Sequence, residues 1–96
     1  MNRAEVLDRL ARSKLTLAEQ YGVDRLALFG LTARDSAEVD SNIDILVAFG
    51  GPATSERNFG VQFFLEDLLG RPVDLVTEKT LRPGLHPIFE REALHV

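Results

Sequence analysis

Residues 26–47 read LALFGLTARDSAEVDSNIDILV, and the reading of this stretch decides the fold. It opens as an apolar run, Leu26-Ala27-Leu28-Phe29, and breaks at Gly30. A small polar segment follows, Leu31-Thr32-Ala33-Arg34, and a second apolar run then extends from Ile43 to Val47 with Asp44 set inside it. A carboxylate between two isoleucines needs a reason, because burying a charge is costly without a partner. The arrangement recurs at Val73-Asp74-Leu75-Val76, where the acid is again the second residue of a short β-type run. The rest of the chain is expected to bring Asp44 and Asp74 together near Gly30.

Working outward, residues 25–29 lack polar alternation and predict a central strand. Residues 32–37 predict a short helix, and Asp40-Ser41-Asn42 is turn chemistry. Residues 43–49 predict a second strand, ended by Gly50-Gly51-Pro52. Residues 55–69 predict a helix capped by Thr54 or Ser55, with Val61, Phe64, Leu65, Leu68 and Leu69 as its apolar stripe and Gly70 and Pro72 as stops. Residues 73–77 predict a third strand. Pro87 suits the first turn of a short helix reaching about Arg91, and residues 93–96 predict a short edge strand or a frayed tail. Before all of these, residues 3–20 predict a helix buried through Leu7, Leu10, Ala11, Leu17, Ala18 and Tyr21, with the Lys14 stem lying along its surface.

The second and third strands are joined through a helix, so they are expected to be parallel and adjacent. The first and second are linked by about a dozen residues, which permits either orientation. The expected fold is α/β in composition (α+β in arrangement), a small mixed sheet with flanking helices. Its 96 residues form a single domain, residues 1–96.

The net charge of -4 and pI near 5.1 leave no basic excess for strong nucleic-acid binding. There is no cysteine, which excludes disulfides and thiolate metal sites. No apolar run approaches the ~20 residues of a membrane span. Met1-Asn2-Arg3-Ala4-Glu5 has no apolar signal region, so a cytoplasmic location is the default expectation.

If the second and third strands pair in register, Asp44 and Asp74 stand side by side, ~4.8 Å apart at the backbone. Such carboxylates repel, and a divalent cation such as Mg²⁺ between them removes the conflict. Asn42, two residues before Asp44, shares its face and offers an uncharged amide oxygen as a ligand. Gly30 permits close backbone approach, and the N–H groups that follow it can hold a phosphate; Arg34 could add a contact, although a lone arginine on a short helix is more often a surface residue. For each acid alone, a turn cap or solvent-facing charge is the competing reading. His86 and His95 lack ligand spacing and are assigned to the surface or to packing. Glu66, Asp67, Glu90 and Glu92 are read as ordinary helix-face charges.

These residues resemble the minimal nucleotidyltransferase (MNT) family of the DNA polymerase beta superfamily. Its pattern is an apolar strand, Gly-Ser, ten residues, Asp-x-Asp, and a third Asp on a later strand. Here Gly30-Leu31 is followed by ten residues and then Asn42-Ile43-Asp44, and Asp74 matches the third acid. Thr32-Ala33-Arg34 matches the Ala-Arg segment after the glycine, and Arg91-Glu92-Ala93 looks like the family's closing segment. The resemblance implies a polymerase-beta-like fold, with Asp44 and Asp74 catalytic and metal-binding and Asn42 at the remaining metal position. Gly30, Leu31, Thr32 and Arg34 fall at the nucleotide. Two positions depart from the pattern: Leu31 replaces the phosphate-holding serine and Asn42 replaces the first metal-binding aspartate.

Many members of this family look like antitoxins paired with a HEPN-domain RNase toxin, so a protein partner of that type is expected. With two departures, the site is expected to be degenerate and to act by binding, with weak Mg²⁺ binding in the absence of nucleotide and little or no AMP transfer. The alternative is an active enzyme using Mg²⁺ and ATP to place AMP on a protein hydroxyl. Phe59, Phe63 and Phe89 are candidates for an exposed patch serving a protein partner or a homodimer.

Overall fold

The computed structural model describes residues 2–30, 42–51, 54–77, 91 and 93–96. The short helix expected at 32–37 and the one expected from Pro87 lie outside this set, apart from Arg91. Described elements run in the order α1 (Arg3–Tyr21), β1 (Val23–Phe29), β2 (Ile43–Phe49), α2 (Ser55–Leu69), β3 (Val73–Thr77) and β4 (Leu94–His95).

Each helix has a side-chain cap where its first N–H groups would be orphaned. The Asn2 side chain accepts the Glu5 N–H at the start of α1, and Thr54 accepts the Arg57 N–H at the start of α2. Both end on a left-handed glycine, Gly22 and Gly70. The buried line of α1 is Val6, Leu10, Ser13 and Leu17. This corrects the expected stripe: Leu10 and Leu17 are buried, but Ala11 and Ala18 face solvent and Val6 and Ser13 take the inner positions. Lys14 is exposed as expected, and its ammonium donates to the Val96 carbonyl at 2.7 Å. The α2 stripe is as expected, with Val61, Leu65 and Leu69 buried and Phe64 and Leu68 packed beside them.

The sheet order is β3-β2-β1-β4. β2 and β3 are parallel neighbours, whereas β1 pairs antiparallel with both β2 and β4. β1 and β2 are thus interior strands, which accounts for their unbroken apolar runs. Alternate residues serve two layers. Leu26, Leu28, Ile43, Ile45 and Val47 pack against Val6, Leu10 and Leu17 of α1 and Val61, Leu65 and Leu69 of α2. Ala27 and Leu46 turn the other way and pack with Ala93, Phe29 and Val76. By the two-residue period of a strand, Asp44 and Asp74 share that second face with Leu46 and Val76. No described helix is long and apolar enough to cross a membrane.

Candidate active site

The acid pair is a consequence of register. Asp44 and Asp74 are directly paired across the parallel β2–β3 ladder, between the pairs Ile43–Val73 and Ile45–Leu75. The strands hold the two carboxyl groups within hydrogen-bonding reach of each other. Partial burial pushes the Asp44 carboxyl above the ordinary aspartate value, and the neighbouring Asp74 charge and the carboxyl–carboxyl hydrogen bond push it the same way. The site therefore has a proton affinity that a cation could satisfy instead.

Gly30 closes the site from β1. Phe29 is the register partner of Asp44, so the residue after it lies over the carboxyl group. Gly30 has φ +74°, and a Cβ placed there would collide with Asp44 Oδ2. Glycine is required twice over, by the left-handed backbone and by the space the carboxylate occupies. The sequence led to the expectation of a glycine that permits close backbone approach; that the space is taken by Asp44 was not legible.

Asn42 does join the acids, but with the other end of its amide. Its Nδ2 donates to Asp74 Oδ2 at 3.3 Å, so the residue acts as a donor to the acid pair. The expectation that it offers its oxygen to a metal requires the amide to turn over. Asp44 and Asp74 fit a hard divalent cation, being two adjacent oxygen donors, one of them proton-seeking. Among the described residues, no third acid or histidine completes a three-residue cluster with them. Leu31, Thr32 and Arg34 lie outside the described residues.

Two side chains of α2 hold the strand that carries Asp74. Glu66 Oε2 accepts the Val73 N–H at 3.1 Å, and Gln62 Nε2 donates to the Val73 carbonyl at 3.4 Å. The Ile43 N–H donates to the Pro72 carbonyl at 2.9 Å, tying the starts of β2 and β3 together. Glu66 is therefore not an ordinary helix-face charge. The available signal was the i, i+4 pair Gln62 and Glu66 just ahead of the Gly70-Arg71-Pro72 turn, which folds the next strand back along the helix.

Comparison with known proteins agrees with this geometry. The Nucleotidyltransferase domain family model matches residues 10–95. The protein adenylyltransferase MntA of Thermococcus cleftensis is 35% identical over 92 residues, which cover 96% of this chain and 93% of that protein. A solved structure provisionally named a minimal nucleotidyltransferase superposes with a TM-score of 0.83 at 37% identity, covering 98% of this chain and 95% of that one. The complex of a tri-AMPylated HEPN toxin with an MNT antitoxin from Shewanella oneidensis shares the fold, with a TM-score of 0.64 at 19% identity, 93% of this chain and 68% of that chain being covered. Glycine at the end of β1, paired acids on β2 and β3, and these similarities lead to one assignment: the chain belongs to the nucleotidyltransferase domain family, in its minimal form.

Proposed function

We propose that this chain is the antitoxin of a HEPN-type helical toxin and that it neutralises its partner by binding. The antitoxin half is supported by the fold shared with the S. oneidensis HEPN toxin–MNT antitoxin complex, and by the match to a protein adenylyltransferase named MntA, a name that a solved toxin–antitoxin pair of this fold also carries. The binding half is carried by one observation, the donation of Asn42 Nδ2 to Asp74 Oδ2. An amide stands where the family pattern supplies a carboxylate, so the site holds two negative charges instead of three and its third member faces the acids as a donor. Removing one charge stabiliser from such a centre lowers turnover by roughly 10²–10³. Leu31, in place of the family's serine, further removes a phosphate contact.

A second reading is favoured by the register pairing of Asp44 with Asp74 under Gly30, which preserves the other half of the family's site. In that reading the chain transfers AMP from ATP to a hydroxyl of the partner. The hydroxyl oxygen bonds to the α-phosphorus, the α–β bridging bond breaks, pyrophosphate leaves and the hydroxyl proton passes to the carboxylate pair. Asp44 and Asp74 would hold Mg²⁺, which supplies charge neutralisation to the phosphates when bound.

The deciding experiment incubates the chain with labelled ATP, Mg²⁺ and a HEPN-type helical protein sought among its neighbouring genes, and in parallel measures binding of the two proteins. Tight binding with no label on the partner is the expected result. Strong labelling that Asp44→Ala abolishes would establish the enzyme instead.

A further inference from the structure

The outer side of α2 carries features that the fold does not use. Glu56, Phe59, Phe63 and Asp67 follow one another at i, i+3, i+7 and i+11, so they form one row along the helix, and all four are exposed. Phe59 and Phe63 are 59% and 66% exposed and stack on each other with ring centroids 6.4 Å apart. At 150–250 Å² per aromatic side chain, the two leave roughly 250 Å² of ring surface in water. Beside Phe59 a groove of about 250 Å³ runs between α2 and the edge strand β3, lined by Ser55, Asn58, Phe59, Gln62, Leu75 and Thr77. The Asn58 Oδ1 atom is buried and has no hydrogen-bond partner among the described residues.

We propose that this row and groove form the surface on which the protein partner docks. The partner presents an apolar stripe to Phe59 and Phe63 and basic residues to Glu56 and Asp67 at the two ends of the row. The proposal rests on the partner-binding reading above and specifies the chemistry of that partner's surface.

Charge selects this occupant over a second copy of the chain. In an antiparallel pairing of two α2 helices through the phenylalanines, Glu56 of one copy would meet Glu66 or Asp67 of the other. In a parallel pairing, each acid would meet its own mate. Both put like charges together at the ends of the aromatic row, which disfavours self-association. A basic-flanked partner turns the same acids into attraction. The surface also lies on the helical layer, whereas Asp44 and Asp74 lie on the opposite sheet face, so docking and the acid pair can be changed independently.

The test measures the dissociation constant of the full chain for a HEPN-type helical protein from the same genome, with Phe59→Ser, Phe63→Ser, the double change, Glu56→Lys with Asp67→Lys, and Arg12→Gln on exposed α1 as the control. Melting curves of each variant alone check folding, and because the two rings are exposed they should match the original. Each phenylalanine change is expected to weaken binding about tenfold and the double change roughly a hundredfold. The charge reversals should slow association and flatten its dependence on salt, and Arg12→Gln should leave affinity unchanged. Binding by the original chain that survives the double change intact would overturn the docking surface and leave the antitoxin reading standing. Failure of the original chain to bind at all would overturn both. A homodimer by analytical ultracentrifugation that the double change dissolves would assign the row to self-association and overturn the proposal.

Discussion

Asn42→Asp is the most informative single change, because it restores the family's charge while deleting the hydrogen bond seen here. In the metal-free protein the change removes the Nδ2 donor that lies 3.3 Å from Asp74 Oδ2 and places a third carboxylate against the pair. The lost hydrogen bond is worth about 1 kcal/mol at most. The added repulsion, between groups open to solvent on this edge, lies near the bulk-water value of ~1 kcal/mol for charges 4 Å apart. Destabilisation of about 1–2 kcal/mol follows, which for a domain of this size lowers Tm by roughly 5–10 °C. Mg²⁺ should reverse the sign. A third charge strengthens cation binding, and a ligand that binds only the folded state adds RT ln(1 + [L]/Kd), or ~2.7 kcal/mol at a hundredfold excess over Kd. The assay is thermal melting of the original chain and the variant across a Mg²⁺ titration, with Ca²⁺ and a monovalent salt of equal ionic strength as controls. The variant should begin below the original and rise above it as Mg²⁺ increases. A variant as stable as the original without Mg²⁺, with no greater response to it, would refute the picture of Asn42 as a neutral substitute inside a three-carboxylate site. Transfer activity is expected to need Leu31→Ser in addition, since the phosphate contact is separate from the metal contact.

Other changes probe the same construction. Asp44 binds its proton more tightly folded than unfolded, so between the ordinary aspartate value and its raised folded value the native state holds more protons and stability falls as pH rises. Asp44→Asn should remove that fall in urea midpoints measured across acid pH, and should raise stability at neutral pH. Gly30→Ala sets a Cβ against the Asp44 carboxylate at φ +74°, and should cost about 2 kcal/mol or more by chemical denaturation; a neutral result would mean that the β1 terminus moves freely. Glu66→Ala orphans the Val73 N–H and should cost about 1 kcal/mol, while Glu66→Gln, which keeps an acceptor oxygen, should cost much less.

The placement of Asp44 opposite Asp74 was legible because two apolar-Asp runs of equal phase flank a helix of crossover length. A right-length crossover makes the strands parallel, and equal phase puts both acids on one face. The antiparallel β1–β2 pairing was not legible, since a linker of about a dozen residues serves either direction. The direction of the Asn42 amide was hidden for another reason: its two ends have the same shape, and only the neighbouring Asp74 decides between them. In α1, apolar residues occur around much of the circumference, with Leu15 left 69% exposed. Its phase therefore depended on which line the sheet accepted, and that line includes the buried Ser13. The α2 stripe had fewer apolar alternatives, and Phe59 and Phe63 fell off it plainly.

The two side-chain bonds to Val73 have a consequence beyond holding Asp74. Among the described strands β3 ends the sheet on one side, and the outer backbone groups of an end strand are a template for strands from other molecules. Glu66 and Gln62 occupy both of those groups at Val73, so an invading strand finds its first two bonding positions taken by the protein's own helix. Removing either side chain reopens that template at the start of the strand. The same pair that steadies the acid thus works against fibril-like growth when the protein is concentrated.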